Sequence, residues 1–156
     1  MEHGVALECS VDINAPCQDV FDVIHDYGIR LQWDTLLSDA RIIDEGVAAA
    51  AVGVSTLCVG RTIFGRVGIE TVYVSFDRPR VAAVRMKRGP WFLADFAASI
   101  RHSNAGAGSR VVYKLRITTQ PRWLQFLLDP LLKLVFRLET QKRLNSLKRY
   151  IEARAY

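Results

Sequence analysis

The chain has little of what builds covalent or metal-held frameworks. Its three cysteines, Cys9, Cys17 and Cys58, form no Cys-x-x-Cys pair, which excludes a disulfide scaffold and a thiol-rich zinc site and predicts a reduced, cytoplasmic setting. Only three histidines occur, His3, His25 and His102, and neither a His-x-x-x-His nor an Asp-x-Asp cluster is present. No metal ion and no cofactor are therefore expected. The first residues lack the basic start and long apolar run of a secretory signal, so export is not expected. The most hydrophobic stretch, Trp123 to Leu138, contains Asp129, Pro130, Lys133 and Arg137, and it falls short of the roughly 20 apolar residues a bilayer span needs. No transmembrane helix is predicted. Gly60, Gly65 and Gly68 are followed by neither Gly-Lys-Ser/Thr nor a helix, so they read as hairpin turns rather than a phosphate cradle.

What is present suffices for one globular domain. The 156 residues are 50% hydrophobic and 24% charged, with mean hydropathy +0.10, which excludes a disordered or collagen-like chain. The net charge is +5. Residues 1–121 hold 13 basic and 13 acidic side chains, whereas 122–156 hold 8 against 3, so the whole surplus lies in the C-terminal segment. Cations late in a helix complement its dipole, and a solvated basic face ranks first as their explanation. An anionic membrane surface ranks second, because Trp123, Phe126, Leu127, Leu132 and Phe136 exceed what one buried stripe requires. Nucleic acid ranks last, since only Tyr150 and Tyr156 offer stacking surfaces among the basic residues.

From Val5 to Ile13 apolar residues fall on every odd position, a strand with one buried face. Pro16 suits the first turn of a helix with Val20, Phe21 and Ile24 on one side, ending at Tyr27-Gly28, and a second short helix follows through Ile29–Trp33. Short β-rich runs then predict an antiparallel meander over Ala40–Glu45, Val54–Gly60, Gly68–Asp77, Val81–Lys87, Phe92–His102 and Arg110–Thr119, with a loop at Ser103–Ser109. Val111, Tyr113, Leu115 and Ile117 share one face of the last run, and Phe92, Ala94, Phe96, Ala98 and Ile100 one face of the run before it. After Pro121 the apolar spacing turns helical. Asp129-Pro130 predicts a break, with a short helix at about 122–129 and a long one at 130–154. Residues 1–156 thus form a single α+β domain, a curved seven-stranded antiparallel sheet around a long C-terminal helix, with two short helices after the first strand.

The segment Val11-Asp-Ile-Asn-Ala-Pro16, then Val20-Phe21, Trp33-Asp34, Phe76-Asp-Arg-Pro-Arg80 and the amphipathic C-terminal helix resemble the helix-grip superfamily. That superfamily comprises START-type lipid-transfer domains, pollen-allergen-like proteins and bacterial polyketide cyclase/dehydrase proteins. The resemblance implies enclosure of a hydrophobic or aromatic small molecule, such as a lipid, polyketide or isoprenoid, between sheet and long helix. The residues expected to line that cavity are Trp33, Met86, Phe96, Ala98, Tyr113, Leu115, Leu128, Leu131 and Val135. Large and small residues mixed on the inner face leave room for a ligand, although a close-packed core in which alanines accept helix leucines fits the same pattern. A cyclase or dehydrase is the rival expectation, with His25, Asp34 or Tyr113 as acid or base. A third is an interaction module docking a partner through Phe126 or Phe136. Trp33 or Trp91 is expected at the pocket mouth, Asp95 in solvent, and the chain as a monomer or dimer.

Overall fold

In the computed structural model, which describes residues 4–62 and 65–154, the element order is β1 (Val5–Ile13), α1 (Cys17–His25), α2 (Arg30–Trp33), β2 (Leu37–Ile42), β3 (Ser55–Thr62), β4 (Gly65–Asp77), β5 (Val81–Arg88), β6 (Leu93–Ala105), β7 (Gly108–Thr119) and α3 (Gln125–Glu152). His3 and Tyr156 lie outside the described residues. The seven strands form one antiparallel sheet in the order β1-β7-β6-β5-β4-β3-β2. Only β1 leaves sequence order, because it pairs with the last strand; the two short helices fill the gap between it and β2. This is the helix-grip fold.

Alternation explains where each strand faces. Val5, Leu7, Cys9 and Ile13 of β1 are buried, as are Val111, Tyr113, Leu115 and Ile117 of β7, and the two strands pair residue for residue from Val5↔Ile117 to Ile13↔Ser109. On the outer face Asp12 lies opposite Arg110, whose Nε donates to Oδ1 at 2.8 Å. This hydrogen bond holds the Asp12 carboxyl below its ordinary pKa.

Three expectations need correction. Strand β6 does not alternate throughout: a register shift between Leu93 and Asp95 makes Leu93 the buried residue and turns Ala94 out to solvent, while Phe96, Ala98 and Ile100 keep the inner face. The expected loop at Ser103–Ser109 shrinks to a turn at Gly106-Ala107, where Gly106 has φ +60°, and both strands run further than their hydrophobic residues suggest. Helix α3 is not broken at Pro130 but runs through it, preceded by a 3₁₀ turn at Arg122–Leu124. The proline removes the donor to the Phe126 carbonyl; Phe126 is exposed, so water can serve that carbonyl, and the helix continues.

Helix α3 changes character along its length. Its second half buries Thr140, Leu144, Leu147 and Ile151. Lys148 Nζ donates to the Asp12 carbonyl at 2.6 Å, and Glu152 Oε1 accepts from the Asn14 amide at 3.0 Å. Its first half buries no residue fully, and Phe126, Leu127, Leu131, Leu134 and Leu138 are all exposed.

Candidate functional site

Between the sheet and the middle of α3 lies a cavity of about 140 Å³. Its walls are apolar: Ile69, Val84, Phe96, Ala98, Ile100 and Leu115 from the strands and Phe136 from α3, with small Ala82 and Gly60 leaving the space open. Of the nine residues expected to line it, Phe96, Ala98, Tyr113 and Leu115 do so. Met86, Leu128 and Val135 are half-buried without reaching it, and Leu131 is on the solvent side of the helix. Trp33 is 3% exposed and packs under the Arg30 guanidinium at 4.7 Å, so it closes no mouth. Trp91 is 69% exposed and also stands apart. Phe136, expected on an outer docking face, instead lines the cavity and meets the Phe96 ring at 6.0 Å.

Two polar groupings interrupt the apolar walls. In the first, His25 Nδ1 lies 2.9 Å from Tyr73 Oη, Tyr73 Oη lies 3.0 Å from Tyr27 Oη, and Tyr27 donates to Thr56 at 3.4 Å. Thr56 and Thr71 share a further bond at 3.0 Å. Burial keeps every member of this chain neutral: it raises the Tyr27 and Tyr73 pKa values and lowers His25 to about 3. An imidazole that weak is neutral at pH 7 and is a poor general base there, which argues against the acid–base role considered for His25.

The second grouping is charged and adjoins the first, since the Arg30 guanidinium lies 6.0 Å from the Tyr27 ring centroid. Arg30 Nε donates to Asp34 Oδ2 at 3.1 Å and its Nη1 to the Ile24 carbonyl at 3.0 Å. Arg143 Nε lies 2.9 Å from the same Asp34 oxygen, but out of line for a hydrogen bond, so that contact is an ion pair only. Asp34, the second acid–base candidate, is fully buried and paired with two guanidiniums. Burial is the largest influence and opposes the charge on both arginines, but Asp34 together with Cys58 and Tyr113 outweighs it, leaving both pKa values raised. Glu139, one turn before Arg143, has its pKa raised by burial despite the arginine. Sequence position groups Arg143 with the solvated C-terminal cations, yet its side chain is only 18% exposed.

The residues missed from sequence were thus Arg30, Arg143, Tyr27 and Tyr73. A signal for Arg143 existed: Phe136, Thr140 and Arg143 recur at i, i+4 and i+7, on the side of α3 that carries Leu144 and Leu147. Among the described residues no cluster of His, Cys, Asp or Glu is arranged to hold a metal ion, and no helix is long and apolar enough to cross a membrane.

Solved structures share this architecture. Zhui aromatase/cyclase from Streptomyces sp. R1128 superposes with a TM-score of 0.82 at 17% identity, over 97% of this chain and 96% of that one. TTHA0849 from Thermus thermophilus gives 0.81 at 15% identity, over 97% and 99%. A START superfamily protein from Mycobacterium smegmatis gives 0.80 at 9% identity, over 97% and 99%. At such identities the likeness is one of fold. No curated protein matches the sequence significantly. Residues 5–152 match the model of the polyketide cyclase / dehydrase and lipid transport family, and the chain belongs to that family.

Proposed function

We propose that the protein binds a hydrophobic or aromatic small molecule, of lipid, polyketide or isoprenoid type, in the cavity between the sheet and α3. The observation that carries this is an apolar space left open beneath the helix and bounded by Ala82, Ala98, Phe96 and Phe136, where native cores are close-packed. Its size, about 140 Å³, approaches that of an engineered apolar cavity of about 150 Å³ that takes up benzene, so one ring fits as it stands. A two-ring ligand such as 2-naphthamide, or a larger one, requires the first half of α3, which buries no residue fully, to lift. Filling the space tests the proposal. Ala98→Leu should abolish binding of 2-naphthamide while leaving the melting temperature within a few degrees; unchanged binding would place the ligand elsewhere.

Family membership favours a second reading, in which a bound polyketide is cyclised or dehydrated. Tyr113 is the candidate, because it lines the cavity and its hydroxyl makes no hydrogen bond among the described residues. Tyr113→Phe should leave a carrier's affinity for neutral 2-naphthamide nearly unchanged and should remove an enzyme's turnover.

The exposed half of α3 supports an anionic membrane surface as the place of ligand exchange. Trp123 and Phe126 are 74% and 78% exposed, and Arg122, Lys133 and Arg137 flank them, while Asp129 is engaged by Thr119 at 2.5 Å. Two copies meeting on this face would bring those cations together. Co-sedimentation with phosphatidylserine vesicles should weaken with salt and be lost in Trp123→Ser/Phe126→Ser.

A further inference from the structure

The charged grouping beside the cavity is unbalanced. Two guanidiniums, Arg30 and Arg143, share the single Asp34 carboxylate, and both contacts go to the same oxygen, Oδ2. Glu139, one turn before Arg143, also lines the cavity, and its ionisation is disfavoured by burial. A buried cation without its own counter-ion is costly, so an anion entering beside it is favoured.

The two arginines are not equally available. Arg30 is committed: it donates to Asp34 and to the Ile24 carbonyl, and its guanidinium lies over the Trp33 ring. Arg143 makes only the out-of-line ion pair with Asp34, and among the described residues its guanidinium donates to no protein acceptor. It lines the cavity together with Tyr113 and Thr140. A planar fork of donors facing an apolar space suits a carboxylate, which it can grip with two parallel bonds.

We propose that Arg143, assisted by the Tyr113 hydroxyl, forms a carboxylate-binding subsite, so that the preferred ligand is an aromatic acid with its ring between Phe96, Ala98 and Phe136 and its carboxylate at Arg143. This rests on the cavity reading above and narrows it from apolar molecules in general to apolar acids.

The test pairs two probes of equal shape, 2-naphthoate and neutral 2-naphthamide, titrated calorimetrically into the full chain. Wild type should bind the naphthoate at least about tenfold tighter, the usual scale of a charge-assisted pair. Arg143→Met should erase that preference while retaining the naphthamide affinity, and Arg143→Lys should restore part of it. Arg143→Met leaves Arg30 and Asp34 matched one to one, so the fold should persist, as its melting curve would show. Equal affinity of wild type for both probes, or a preference surviving Arg143→Met, would overturn the subsite and leave the cavity standing. Failure of both probes to bind would overturn the subsite and the cavity reading together.

Discussion

Two adjoining polar groupings on the cavity wall meet one problem, burying polar side chains, by opposite means. In the His25 grouping the side chains are kept neutral and joined through hydroxyls, from His25 through Tyr73 and Tyr27 to Thr56. In the Arg143 grouping, which reaches the first where Arg30 lies beside the Tyr27 ring, charge is retained and held by pairing with Asp34. Neutral groups cost little to bury once hydrogen-bonded, and only His25 Nε2 in the first grouping has no partner among the described residues; ion pairs must be matched in number, and those of the second are not. The difference teaches where recognition should reside: a neutral network orients and packs, while an unmatched cation attracts.

The comparison breaks most visibly at Asp34. Asp34→Ala leaves two buried guanidiniums facing each other and should cost about 3–5 kcal/mol of stability, read from the urea midpoint. A loss below about 1 kcal/mol would mean that the charged grouping is solvated and its pairing unimportant.

Acid should strike the buried histidines. Burial holds His25 near pKa 3 and His102, whose ring nitrogens have no partner among the described residues, near 4, against an ordinary 6.5. Below pH 6.5 the unfolded chain binds more protons than the folded one. Stability is therefore full above that pH and falls as pH drops, by about 1.4 kcal/mol per pH unit for each histidine until its folded pKa is reached. The carboxylates with lowered pKa, Asp12, Asp22 and Glu152, act only below their ordinary 3.8 to 4.5, a lower window. His102→Leu should remove about half of the slope between pH 6 and 5 and cost little at neutral pH, since no hydrogen bond is lost. Urea titrations across that range measure it.

The smallest effect concerns the hydroxyl chain. Tyr73→Phe strands His25 Nδ1, leaves Tyr27 Oη only its bond to Thr56, and should cost about 1–2 kcal/mol, with no change in the preference for naphthoate over naphthamide. A lost preference would show that the two groupings act as one.

How much of this was legible in the sequence follows from how local each cause is. The faces of β1 and β7 could be read because period-two alternation runs unbroken along both strands. In β6 the same rule failed at Ala94, because a bulge against β7 shifts the register and a bulge depends on the partner strand. The break expected at Pro130 rested on a sound local rule that surrounding structure overrides, since α3 is held at its far end by β1. Phe96, Ala98, Tyr113 and Leu115 were named because strand periodicity points them inward, whereas Leu131 was misplaced because the first half of α3 is apolar on both faces. The Arg30–Asp34 pair is visible as an i, i+4 spacing, but Arg143 joins it from 109 residues away, a meeting that only the fold produces.

The central claim, that a ligand lies between sheet and α3, is tested most directly by backbone NMR on the full chain during titration with 2-naphthoate. The account predicts saturable shifts concentrated at Ala98, Tyr113, Thr140 and Arg143, the inner lining of the cavity. Shifts confined to Trp123, Phe126 and Leu127, or none at all, would contradict it.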